Sequence, residues 1–125
     1  MTTVTVKASQ TYDVKIGRGL LDTLGEEAAR AFKGRIVCIV SDSNVAPHYL
    51  SQATHSLERA GFTVLAFVFP AGEEHKNGYT YLSLLEYLAQ EHLTRADGLI
   101  ALGGGVVGDL TGFAAATYLR GIPFL

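Results

Sequence analysis

Three short apolar runs, set between stretches of helical periodicity, constrain this chain more than any other feature. They are "RIVCIV" (35–40), "FTVLAFVF" (62–69) and "GLIAL" (98–102). A continuous apolar run of this length suits a strand buried on both faces, as in a parallel sheet covered by helices. Between the runs the apolar period lengthens. Leu20, Leu21, Leu24, Ala28 and Ala31 share one face of a helix that Gly34 ends. The segment 41–61 opens on capping residues, has Pro47 early and closes at Gly61, which are helix start and stop signals. Residues 79–93 read as a third helix, with Leu82, Leu85, Leu88 and Ala89 spaced to face the core. An Ala-rich helix from Val107 to Leu119 follows the last run, and "GIPFL" begins another strand. At the start of the chain, Val4 and Val6, then Val14 and Ile16, alternate with polar residues, the pattern of an antiparallel strand pair. The order predicts one α/β domain over residues 1–125. Its expected form is a Rossmann-like open, mostly parallel sheet with helices on both faces and an N-terminal antiparallel strand pair.

Composition narrows the function classes. With 125 residues, 48% hydrophobic and 18% charged, the chain can bury a core and is not disordered. A net charge of −2 gives no reason to expect nucleic acid or a membrane surface as partner. Cys38, the single cysteine, excludes an intrachain disulfide and reads as a small buried hydrophobe. The N-terminus lacks a basic region followed by an apolar one, and no apolar run approaches the roughly 18 to 20 residues of a membrane span. The expected setting is a soluble cytoplasmic domain. His48, His55, His75 and His92 have no metal-site spacing, and no nucleophile has an evident base beside it.

In an open α/β sheet, ligands sit beyond the carboxyl ends of the strands. After Leu102 come Gly103, Gly104, Gly105 and then Gly108. Glycines at a strand-to-helix turn let phosphate oxygens approach backbone amides, and the following helix adds unpaired N–H groups. The spacing Gly103-x-Gly105-x-x-Gly108 is the dinucleotide fingerprint; it equally suits a tight turn with close helix–sheet packing at Gly108. The fingerprint also wants an acid about 20 positions later, and no acid follows Asp109. A ribose partner would have to come from elsewhere. After Val40 stands "SDSN", where Asp42 and Asn44 could bind a ribose or could cap a helix. After Phe69, "PAGEEHK" carries Glu73 and Lys76, which read as ligand groups or as a solvated loop. Asp109, in the first turn of the last helix, would repel a phosphate, so a ribose or amide is its more sensible target.

Together these stretches resemble one family. "LIALGGGVVGDLTGFAAATYLRGIPF" is similar to the core signature of the 3-dehydroquinate synthases, "PAGEEHK" to their P-x-G-E-x-x-K loop, and "SDSN" to a short Asp/Asn segment. The resemblance implies an enzyme that binds NAD and a divalent metal (zinc or cobalt). It would turn 3-deoxy-arabino-heptulosonate 7-phosphate into 3-dehydroquinate and phosphate, in aromatic amino acid biosynthesis, as a homodimer. It assigns Asp42, Asn44, Glu73 and Lys76 to the cofactor site. Gly104, Gly105, Val106 and Asp109 fall to the pyrophosphate and nicotinamide-ribose region. Arg120 matches an arginine that reaches substrate phosphate across the dimer; it equally suits a solvent-facing helix end. A sibling cyclase such as 2-deoxy-scyllo-inosose synthase, or a non-catalytic nucleotide-binding module, shares these features. The family's metal ligands and substrate lysines have no counterpart in this sequence. The expectation is therefore an N-terminal portion, with no catalytic residue of its own, that binds NAD weakly at best. On that expectation the 125-residue chain releases no inorganic phosphate from the heptulosonate phosphate, and measurable release would contradict it.

Overall fold

A computed structural model of the chain describes residues 2–7, 11–16, 20–71 and 78–125. Strands β1 (Thr2–Lys7) and β2 (Thr11–Ile16) pair antiparallel, with Val4 opposite Val14, as a separate two-stranded sheet. Helix α1 (Leu20–Ala31) then leads into β3 (Ile36–Asp42), α2 (Ala46–Arg59), β4 (Thr63–Phe69), α3 (Gly78–Gln90), β5 (Gly98–Leu102) and α4 (Gly105–Thr117). The three later strands form a parallel sheet in the order β4-β3-β5. The last residues continue it: Phe124 bridges Leu99 in parallel, and Leu99, Ala101 and Leu125 exchange backbone hydrogen bonds with Pro123, Leu125 and Leu99.

Alternation along β3 sorts the core into two layers. Val37 and Ile39 face α1 and α2 and join Ala28, Phe32, Ala53, Leu57 and Phe62. Cys38 and Val40 face α3 and α4 and join Leu84, Leu88, Val107, Leu110 and Ala114. The sheet therefore has helices on both faces, as the sequence pattern requires. Each wholly buried leucine, such as Leu57, Leu84 or Leu88, contributes about 1.5–3 kcal/mol.

Helix α3 departs from expectation. Its buried face is Thr80, Leu84 and Leu88, with Leu85 only partly buried. Leu82 is 56% exposed and Ala89 is exposed. Leu82 lies two residues from Leu84, about 200° round the helix, so both cannot face one core. Ala31 of α1 is also exposed. Helix α4 starts at Gly105, two residues earlier than the apolar pattern suggests, because glycines hide the helical period there.

Two helices end in the same way. In α2, Gly61 (φ +97°) donates to Glu58 O at 3.0 Å and Phe62 donates to Leu57 O at 3.1 Å. After α3, His92 donates to Ala89 O and Leu93 to Leu88 O, both at 3.1 Å, with His92 at φ +61°. Both are Schellman ends, and only the second places a side chain where the left-handed region penalises a Cβ.

The amino-terminal end of the sheet is clamped by Asp97. Its Oδ1 accepts from Ile36 N at 3.0 Å, while Oδ2 accepts from Thr94 N at 2.8 Å and Thr94 Oγ1 at 3.1 Å. A Cβ on Gly34 would collide with the Asp97 carboxylate and with backbone of Ala96 and Asp97. Gly34 is thus fixed by close approach between loops, three residues beyond the end of α1.

Cys38 is wholly buried, and burial, with a smaller push from the Glu91 charge, raises its thiol from 9.0 to about 12. A folded-state pKa above the unfolded one contributes stability that is lost as pH rises from about 9 toward about 12. In that window the wild-type chain should lose urea stability more steeply than Cys38→Ala. Replacing His92 by glycine should raise stability by about 0.5–1 kcal/mol in urea titration, because the αL penalty disappears.

Candidate functional site

The parallel register brings three strand exits side by side. Asp42 pairs with Phe69, and Ser41 pairs with Leu102. One step beyond Leu102, level with Asp42, the chain enters Gly103 and the glycine turn. Asp42 and the glycines thus share one edge of the sheet, as the three strand ends suggested.

The turn has two kinds of glycine. A Cβ on Gly103 would meet Val107 Cγ2 at 2.7 Å, so Gly103 is fixed by packing against its own helix. Among the described residues, a Cβ on Gly104, Gly105 or Gly108 would meet nothing within 4 Å. Gly108 donates to Gly104 O at 3.0 Å, so the two lie one turn apart on the same face of α4. The reading of Gly108 as a close helix–sheet contact is therefore wrong. That contact falls at Gly112, where a Cβ would lie 3.3 Å from Phe124 Cζ. What the described residues leave at Gly104, Gly105 and Gly108 is an uncovered face at a helix amino terminus, whose first N–H groups have no partner within the helix. Such a face suits an anion.

Asp42 does two things at once. Its Oδ1 accepts from Asn44 N at 3.0 Å and Val45 N at 2.9 Å, holding the turn that precedes α2. Helix α2 itself has Val45 at its N-cap, without a side-chain cap bond. Among the described residues no hydrogen bond to Oδ2 is seen, so one carboxylate oxygen shapes the turn and the other can accept from a ligand. Asn44 is exposed beside it.

Of the other sequence candidates, Val106 packs its side chain against the α3–α4 core, leaving its backbone N–H as the group a ligand could use. Asp109 is exposed in the second turn of α4. Glu73 and Lys76 lie outside the described residues. Arg120 follows the carboxyl end of α4, in a 3₁₀ turn over Tyr118–Arg120. A 13-residue helix is about 20 Å long, so Arg120 stands far from the glycine turn. The structure thus gathers Asp42, Asn44, Gly104, Gly105 and the Val106 amide, and leaves Arg120 apart.

Two serines that sequence reasoning passed over complete the edge. Ser41 Oγ donates to Leu102 O at 2.7 Å. Ser43 donates its N–H to Phe69 O at 3.0 Å, and its Oγ accepts from Ala71 N at 2.9 Å. Alternate residues of "SDSN" therefore lace β3 to β5 and to β4. Serines at both positions flanking Asp42 were the available signal. A groove of about 530 Å³ lined by Gln52, His55, Glu58 and Arg59 lies along the later part of α2, which runs back from this edge. Among the described residues no three His, Cys, Asp or Glu side chains are grouped to hold a metal ion, and no described helix is long and apolar enough to cross a membrane.

Residues 66–125 match the family described as 3-dehydroquinate synthase N-terminal. Over its full length the chain is 47% identical to the 3-dehydroquinate synthase of Latilactobacillus sakei subsp. sakei (strain 23K), covering 36% of that protein. It superposes on 2-deoxy-scyllo-inosose synthase complexed with carbaglucose-6-phosphate, NAD+ and Co2+ with a TM-score of 0.80. Identity there is 26%, over 98% of this chain and 34% of the other. The 2-epi-5-epi-valiolone synthase from Streptomyces hygroscopicus subsp. jinggangensis 5008, with NAD+ and Zn2+ bound, gives a TM-score of 0.72. It is 27% identical over 97% of this chain and 33% of its own.

Since no described residue would meet a Cβ on Gly108, Gly108→Ala should raise stability by about 0.5–1 kcal/mol, the ordinary gain for alanine inside a helix. Urea denaturation of the variant measures this.

Proposed function

We propose that this chain, a relative of the 3-dehydroquinate synthases along its whole length, is the NAD-binding part of such an enzyme. It spans about a third of the length of the curated relatives it matches, 36% in the Latilactobacillus sakei protein. The activity proposed for the whole protein is conversion of 3-deoxy-arabino-heptulosonate 7-phosphate to 3-dehydroquinate and phosphate, in the cytoplasm and as a homodimer. The 47% identity to a 3-dehydroquinate synthase, against 26% to 2-deoxy-scyllo-inosose synthase, favours this reading over a sibling cyclase.

The observation that carries the cofactor reading is the face at Gly104, Gly105 and Gly108 that no described residue covers, beside the strand exit level with Asp42. The cradle fits a dinucleotide. Backbone N–H groups of Gly105 and Val106 would hold pyrophosphate oxygens, which need donors and tolerate no Cβ nearby. Asp42 Oδ2 would accept from the adenosine ribose hydroxyls, with Asn44 beside it, which supplies the ribose partner that the sequence after Asp109 lacks. Glu73 and Lys76 belong to the same cofactor site by resemblance, as does Asp109 on the nicotinamide-ribose side. When bound, NAD supplies a hydride acceptor that returns the hydride later in the same turnover. Arg120, at the far end of α4, is assigned to substrate phosphate from across a dimer interface, which its distance from the glycine turn favours. The divalent metal proposed for the enzyme has no ligand set among the described residues, and no step is assigned to it.

Asp42→Asn separates binding from folding. The amide keeps an acceptor oxygen for the Asn44 and Val45 amides but replaces the other oxygen with a donor. By calorimetry the variant should bind NAD at least tenfold more weakly, with an unchanged melting temperature; losing one charge-assisted hydrogen bond costs about 1.5–3 kcal/mol. Gly108→Ala should weaken NAD binding while stabilising the chain. No binding by the wild type would contradict the reading.

A further inference from the structure

We propose that Ser41 is a positioning residue for the dinucleotide's pyrophosphate, acting through the Leu102 carbonyl. The inference rests on the NAD-binding reading above and goes beyond it to a residue that touches no ligand. Ser41 is wholly buried, and its hydroxyl donates to Leu102 O at 2.7 Å. That carbonyl shares a rigid peptide plane with the amide of Gly103. Holding the oxygen therefore fixes the direction from which the chain enters the turn.

The turn needs an external hold. Three consecutive glycines have the greatest backbone freedom of any tripeptide, and no side chain of their own can restrict them. Two contacts bound the turn at its start: Val107 crowds Gly103, and Ser41 anchors the plane before it. Beyond that point no described residue would meet a Cβ on Gly104 or Gly105. A donor array pre-set before binding avoids the cost of ordering it around the ligand. Ser41 thus does for the glycine turn what a side chain on the glycines would do, without occupying the space the phosphates need.

The role separates parts of the ligand. The hydroxyl should matter for groups held by the glycine turn and not for the adenosine held at Asp42. The test is a magnetic resonance titration of the 125-residue chain and of Ser41→Ala with NAD, ADP-ribose and adenosine. For Ser41→Ala the expected result is a Kd roughly tenfold higher for NAD and ADP-ribose, the cost of one lost hydrogen bond, with adenosine within about twofold of wild type. Ser41→Thr, which keeps the hydroxyl, should restore both. If Ser41→Ala does not fold, Ser41→Cys, a weaker donor, takes its place and should raise the ratio of the NAD to the adenosine Kd. A fall in melting temperature with all three affinities changed equally would show a merely structural role and overturn the proposal. Unchanged NAD affinity would also overturn it, leaving the NAD reading intact. Failure of the wild type to bind NAD would overturn both.

Discussion

The central position of β3 is the constraint on which the rest depends. Paired with β4 on one side and β5 on the other, in parallel, it brings three carboxyl ends to one edge. The alternation of its side chains sends Val37 and Ile39 to one helical layer and Cys38 and Val40 to the other. Were β3 to slip by one residue, each layer would lose its core and Asp42 would leave the level of the glycine turn. Packing and site geometry thus rest on a single register.

Polar ties secure that register at both ends. Asp97 gathers Ile36 and Thr94 at the amino-terminal end, and Ser41 and Ser43 join the exits of β5 and β4 at the other. Each is a short side chain satisfying backbone groups that the ladder leaves over, which buried polar groups require. Asp42 is placed between the two serines and has one oxygen engaged with the chain. The same carboxylate that shapes a turn can therefore face a ligand, so the choice between capping and binding does not arise.

Much of this was legible in the residues. The apolar runs gave β3, β4 and β5, with β5 matching residue for residue, and the structure puts the glycine cluster and "SDSN" at one edge of the sheet, as their places after strands imply. The burial of Cys38 followed from its place inside "RIVCIV". Other features were not legible, for definite reasons. Leucines crowd α3 so densely that several faces look apolar, and only packing against the sheet selects Thr80, Leu84 and Leu88 over Leu82. Glycine carries no periodic signal, so the apolar pattern does not reveal that α4 begins at Gly105. The serines were hidden because a hydroxyl that bonds a carbonyl 61 residues away leaves no local pattern. That no described residue crowds Gly104, Gly105 or Gly108, whereas Val107 crowds Gly103, is a property of the fold that identical residue letters conceal.

The central claim is that a dinucleotide lies across the strand exits of this sheet. The direct measurement is the pattern of backbone amide shifts when NAD is added to the isotopically labelled chain. Shifts should concentrate at Asp42–Val45 and Gly103–Val107 and spare the opposite end of the sheet around Gly34 and Ala96–Gly98. Shifts centred on that opposite end, or none anywhere at saturating NAD, would contradict the account.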